Sequence, residues 1–261
     1  MIVAVTGGKG GVGKSTVSLN LGRELDAVVV DGDLATADLP RGTGPDLHDV
    51  LAGRTDPVDA VAEFGSVKVL PCGRTLEGAR AARLDGIVET VGAVERQYGT
   101  VVIDCPAGLA RDVGMQLHSA DVSVVVTTPK KPALLNAYRT RELSLNVETP
   151  LASVALNMIR DSPSTNGDDG FSIGDYTLGA GDGRSDDGRD GDGTEAVADR
   201  IEAAFGAPTT VVPEQRAVAE AQADWVPVRD HAPDAAAVDS FERLARRIEI
   251  CGSRAGTRVD A

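Results

Sequence analysis

The chain has 261 residues, enough to bury one full-sized core, and its 26 basic residues face 40 acidic ones for a formal net charge of −14, an excess that argues against general polyanion binding, which needs cationic side chains to displace counterions from phosphates. No apolar run reaches the roughly 18 residues of a membrane span, and Cys72, Cys105 and Cys251 are far apart with no C-x-x-C pair, so no disulfide framework, zinc site or iron–sulfur site is suggested. With an amino terminus that enters a Val/Ile segment without a basic leader, a reducing cytoplasm is the expected location.

In chain order, short Val/Ile-rich runs alternate with longer amphipathic stretches. Residues 2–6 read as a strand and 15–25 as a helix behind a glycine-rich loop; strands follow at 27–30 and 67–70. A helix at 84–98 leads into a strand at 101–103, and a strand at 122–127 into a helix at 134–145. The remaining elements are a strand at 154–157, a helix at 195–205, a strand at 209–212 and a helix at 235–250. The runs are nearly continuous in apolar residues, as expected of parallel strands covered on both faces. The predicted fold is a doubly wound, mostly parallel α/β sheet flanked by helices, with residues 1–250 forming one domain and 251–261 a polar tail.

Residues 161–195 break this rhythm. Ten acids against two arginines, among Gly, Ser and Asp, account for −8 of the net charge, and such a segment buries too little apolar surface to offset its ordering entropy. It is expected to be a disordered or loosely held acidic insertion, with Phe171, Ile173, Tyr176 and Leu178 as its apolar foothold. Its Asp-Gly texture lacks the ligand spacing of a calcium loop. Only five of the basic residues are lysines, and a lysine-poor, aspartate-rich chain suggests a high-salt cytoplasm in which carboxylate repulsion is screened.

The segment from Thr6 to Thr16 satisfies G-x-x-x-x-G-K-[ST] between Gly8 and Ser15. Glycines at Gly8, Gly10, Gly11 and Gly13 let the backbone around Val12 wrap phosphates closely, with N–H groups and the start of the next helix turned to negative charge. Lys14 is then expected to reach the β- and γ-phosphates and Ser15, followed by Thr16, to offer its hydroxyl to Mg²⁺. A generic phosphate loop does not need Lys9. The string Gly8-Lys9-Gly10-Gly11-Val12-Gly13-Lys14-Ser15 resembles the deviant Walker A motif of the MinD/ParA family of P-loop ATPases.

That resemblance, spanning residues 1–160 and 194–250, implies further roles. Lys9 would cross a nucleotide-sandwich homodimer to the partner's phosphates, giving two catalytic cations, Lys9 and Lys14. Asp33, in Asp31-Gly32-Asp33, would orient the attacking water, and Asp104, in Asp104-Cys105-Pro106-Ala107-Gly108, would hold Mg²⁺ through water, Gly108 allowing that turn to rearrange. Asp38 replaces an asparagine common in the family. Asn157 is placed as the adenine contact, with Pro213 and Glu214 on the loop closing over the base. The absence of N-K-x-D at that point favours ATP over GTP. The Leu-Ala-Thr after Asp33 and the Asp-Cys-Pro-Ala-Gly string are closer to MinD than to ParA, although residues 252–261 lack the apolar stripe of a membrane-targeting helix.

The expected activity is slow, partner-stimulated ATP hydrolysis with ATP and Mg²⁺ as cofactors. The expected role is an ATP-dependent dimerisation switch that positions cellular machinery through an unidentified activator or cargo adaptor. The alternative is a ParA-like partition ATPase holding nonspecific DNA through Arg243, Arg246, Arg247, Arg254 and Arg258. Against it, Glu242 and Glu249 interrupt the cluster, and Ala237, Phe241, Leu244 and Ile248 fall on one apolar helix face. A metallocluster carrier and a small-molecule kinase or ligase on the same scaffold are further alternatives, the carrier disfavoured by the missing cysteine pairs.

Overall fold

A computed structural model describes residues 1–37, 39–159, 171–173, 176–178 and 193–256. An eight-stranded sheet runs in the order β10-β7-β6-β1-β5-β2-β4-β3, parallel throughout except for β3 (Ala62–Phe64), which pairs antiparallel with β4 (Val67–Leu70) at one edge. Its centre is built from β1 (Ile2–Thr6), β2 (Val28–Asp31), β5 (Val101–Asp104), β6 (Val122–Thr127) and β7 (Leu151–Ile159), with β10 (Thr209–Pro213) on the far edge.

Strand periodicity sorts the core into layers. Val3, Val5, Val29 and Val102 point to one face and pack with Val17, Leu21, Phe241, Leu244 and Ile248, whereas Ile2, Ala4, Val28, Val30 and Ile103 point to the other and pack with Ile87, Val91, Val113 and Leu117. Successive side chains of the central strands are therefore buried on opposite faces, which is why these runs read as continuously apolar. The first layer is made by α1 (Lys14–Glu24) and α10 (Ala236–Gly256), and the second by α4 (Ile87–Tyr98) and α5 (Arg111–His118). A third cluster joins α6 (Lys131–Asn146) and α7 (Gly193–Phe205) to β7 through Leu134, Ala137, Leu156, Ile201 and Phe205. Near the carboxyl terminus, Arg229 forms a bidentate pair with Glu24 at 2.7 Å per bond, and the Val228 N–H donates to Asn20 Oδ1 at 2.8 Å.

Several boundaries differ from expectation. The edge strand β3 and the short helices α2 (Leu47–Leu51), α3 (Leu76–Ala81), α5, α8 (Arg216–Ala223) and α9 (Val228–His231) are too brief to establish a period in the sequence. Helix α10 continues to Gly256, six residues beyond the expected polar boundary, because Cys251 still packs on the core and Gly252 lies against Met1, where an added Cβ would meet Met1 Sδ at 2.6 Å. Within the expected disordered insertion, β8 (Phe171–Ile173) and β9 (Tyr176–Leu178) pair antiparallel, with β8 beside α6 and β9 beside α7. Residues 193–195 belong to α7, and the rest of that expectation lies outside the described residues. Among the described residues no helix is long and apolar enough to cross a membrane.

Candidate functional site

Strand β1 is the pivot of the sheet. From it the order runs outward through β5 and β2 on one side and β6 and β7 on the other, so the crevice at the carboxyl ends of these strands is the topological switch point where open α/β sheets receive ligands. The loop between β1 and α1 crosses this crevice. It is tight where it meets the body: a Cβ at Gly8 would lie 2.4 Å from the Asn136 carbonyl oxygen on α6. Gly13 takes a left-handed conformation at φ 93°, and a Cβ there would lie 2.2 Å from Asn157 Nδ2. At the exposed crest, Lys9, Gly10 and Gly11 face open space, and Cβ atoms on the two glycines would meet nothing within 4 Å. No side chain caps α1, whose first turn carries Lys14, Ser15 and Thr16. The positive end of its dipole thus opens toward the crevice, an arrangement suited to an anion.

The amide of Asn157, buried at the end of β7, donates from Nδ2 to the Val12 carbonyl at 2.9 Å and accepts at Oδ1 from the Met158 N–H at 2.9 Å. In this structure the residue expected to read adenine braces the phosphate loop from behind. Pro213 and Glu214 lie on the neighbouring strand end, where the Glu214 N–H donates to the Ile159 carbonyl at 2.7 Å. All three assigned base-pocket residues are therefore on the β7–β10 side of the loop.

The carboxylates occupy the β2 and β5 side. Asp31 is the last residue of β2, not the first residue beyond it as the sequence suggested, and is in register with Asp104 at the end of β5. Asp104 Oδ1 accepts from Ser18 Oγ at 3.0 Å. Asp31 accepts from the Asp33 and Leu39 N–H groups, each at 3.2 Å. Burial pushes its carboxyl up to about 7, and the neighbouring Asp104 charge adds to the shift. Asp33 is half-exposed; its Oδ1 accepts from the Ala35 and Thr36 N–H groups at 3.1 and 2.8 Å, and its Oδ2 from Thr36 Oγ at 2.8 Å. It closes a tight local turn at the mouth of the crevice. Asp38 lies outside the described residues.

Beyond Asp104, Gly108 adopts φ 103° and is followed by exposed Leu109 and Ala110 before α5. Cys105 is buried, and burial with the Asp104 charge raises its thiol while nearby Lys14 opposes that shift, consistent with a small apolar filler. The structure thus brings together Lys14, Ser15, Asp31, Asp33 and Asp104 at one sheet edge, with Lys9 on the outer crest. Sequence reasoning missed Ser18 and Gln116; no motif marks either, because each is defined by a partner on another strand or loop.

The arginine cluster is engaged within the fold. Arg246 pairs with Glu242, Arg247 donates to Thr210 Oγ1 at 2.9 Å and Arg243 to Ser240 Oγ at 3.3 Å. Ala237, Phe241, Leu244 and Ile248 are buried, as expected for a core-facing stripe. Arg258 lies outside the described residues.

Comparison with known proteins agrees with this arrangement. A family model described as "ParA: NUBPL iron-transfer P-loop NTPase" matches residues 1–171. An uncharacterized ATP-binding protein of Methanocaldococcus jannaschii is 35% identical over 61% of this chain, which spans 65% of that relative's length. The septum site-determining protein MinD of Bacillus subtilis is 32% identical over 64% of this chain and 68% of its own. Among solved structures, the cell division ATPase MinD of Pyrococcus furiosus superposes with a TM-score of 0.75 at 27% identity, covering 95% of this chain and 98% of that one. MinD of Pyrococcus horikoshii, complexed with Mg-ADP, gives 0.74 at 25% identity, with 95% of each chain covered. The chain belongs to the MinD/ParA family of P-loop ATPases.

Proposed function

We propose that the chain binds and slowly hydrolyses ATP, that ATP joins two copies of it, and that the pair positions cellular machinery through a partner protein. The observation that carries this reading is the division of labour between two lysines of one loop. Lys14 stands at the uncapped start of α1, half-buried, whereas Lys9 lies on the exposed crest. A cation on that crest suits a phosphate presented by a facing copy, so the triphosphate becomes part of the contact between subunits and its loss dissolves the pair.

The site fits a magnesium nucleotide. The crest is open, the helix terminus is uncapped, and Ser15 and Asp104 supply the hard oxygen donors that Mg²⁺ prefers. Ser15 would hold the ion directly and Asp104 through water, with Ser18 fixing the Asp104 carboxylate. When bound, Mg²⁺ neutralises charge on the phosphates. Gly8 to Thr16 would wrap the phosphates, Asp33 would orient water at the mouth, and Asn157, Pro213 and Glu214 would border the base. The positioning role is supported by relatives named as septum site-determining proteins, and the Mg-ADP complex of one structural neighbour supports the ligand.

Sedimentation velocity in molar KCl tests the reading. MgATP, but not MgADP, should convert the 26.9 kDa monomer to a dimer. Equal sedimentation coefficients at saturating nucleotide would refute the switch, and an absence of binding to either nucleotide would refute the ATPase itself.

A further inference from the structure

Gln116 on α5 is fully buried and has no place in the scheme above. Its Nε2 donates to the Gly32 carbonyl at 2.7 Å, while the Gly32 N–H donates to the Asp104 carbonyl at 3.0 Å. The residue between Asp31 and Asp33 is therefore gripped from two directions, by the end of β5 and by α5. The fit leaves room only for glycine, since a Cβ at position 32 would lie 2.4 Å from Gln116 Oε1 and 3.0 Å from the Asp104 carbonyl oxygen.

The other arm of this amide has no hydrogen-bond partner: Gln116 Oε1 is buried and unsatisfied among the described residues. An orphaned buried acceptor costs at least as much as one neutral hydrogen bond returns, so stability of the fold does not by itself account for an amide at this position. What the amide supplies is a joint. Helix α5 follows the turn from Asp104 to Gly108, whose left-handed glycine lets it rearrange, and Gly32 immediately precedes the aspartate at the mouth of the crevice.

We propose that Gln116 is a positioning residue that couples the two loops bordering the γ-phosphate, aiming Asp33 through the Gly32 carbonyl. A displacement of α5, produced when the turn at Gly108 changes conformation, is carried by the Nε2–H donor to the Asp31-Gly32-Asp33 segment. Asp33 is then correctly placed only while the turn is in its triphosphate arrangement. This rests on the reading of the chain as an ATPase with Asp33 at the attacking water.

The test measures steady-state MgATP hydrolysis and amide hydrogen exchange in Gln116→Met, which keeps the shape and removes the donor, alongside Gly32→Ala and Asp33→Ala. In Gln116→Met, kcat should fall about tenfold with KM for MgATP within about twofold, the signature of an interaction used in turnover and not in binding. The Ala35 and Thr36 amides, which Asp33 accepts from in the wild type, should exchange faster. Gly32→Ala should reproduce the selective loss of kcat. Unchanged kcat in both variants, or a loss confined to KM, overturns the coupling. If Asp33→Ala abolishes hydrolysis while Gln116→Met turns over normally, the coupling alone fails; if Asp33→Ala hydrolyses normally, the underlying role of Asp33 fails with it.

Discussion

Replacing Asn157 with alanine separates two readings of the same residue. Family resemblance assigns its amide to adenine, whereas the structure uses that amide to brace the Val12 carbonyl at 2.9 Å behind the phosphate loop. Val12 is only 3% exposed, so truncation leaves its carbonyl without this partner in a buried site and removes the surface on which Gly13 rests. Loss of a buried neutral hydrogen bond with its acceptor left behind costs about 1–2 kcal/mol. If the loop must be ordered to receive phosphates, the same amount is lost from binding, weakening it about 5- to 30-fold. The loss should be the same for MgATP, MgGTP and inorganic triphosphate, because the bond acts on the loop and not on the base. Calorimetric titration of all three ligands checks this. A loss seen with ATP alone, with GTP and triphosphate unaffected, would refute bracing and support adenine contact as the role of Asn157.

Other perturbations address the rest of the site. Lys14→Ala should abolish measurable MgATP binding, whereas Asp33→Ala should retain binding, slow hydrolysis at least about 100-fold and accumulate the ATP-bound dimer, as read by equilibrium titration and sedimentation. Because burial and Asp104 raise the Asp31 carboxyl to about 7, above its ordinary value near 4, the folded state holds a proton that the unfolded chain has lost between those values. In magnesium-free protein, the Asp31 contribution to stability is complete below about pH 4 and disappears as pH rises through about 7; urea titrations should show that decline flattened in Asp31→Asn. With 40 acidic and 26 basic residues, unfolding midpoints should rise from dilute buffer to molar KCl as repulsion is screened, and a midpoint no lower in dilute buffer would contradict the high-salt reading.

Much of the architecture was legible because its signals are local. Buried parallel strands require uninterrupted apolar runs, and the runs at residues 2–6, 67–70 and 122–127 coincide with strands in the structure. The phosphate loop is equally local: its glycines, Lys14 and Ser15 act together because consecutive residues wrap one feature. Short helices such as α2 and α3 escaped because five or six residues span less than two turns and leave no measurable period.

The contacts that hold the site together are of another kind. Asn157 braces Val12 across 145 positions, Ser18 reaches Asp104 across 86, and Gln116 holds Gly32 across 84. A hydrogen bond between distant residues leaves no spacing in the chain, since its geometry depends on how helices settle on the sheet. Sequence alone was sufficient for the central strands and for the glycine-rich loop that follows the first of them. Which carboxylate is buried against its neighbour, what supports the loop and what grips Asp31-Gly32-Asp33 were settled only by tertiary packing, because desolvation and hydrogen-bond direction are properties of assembled space and not of order along a chain.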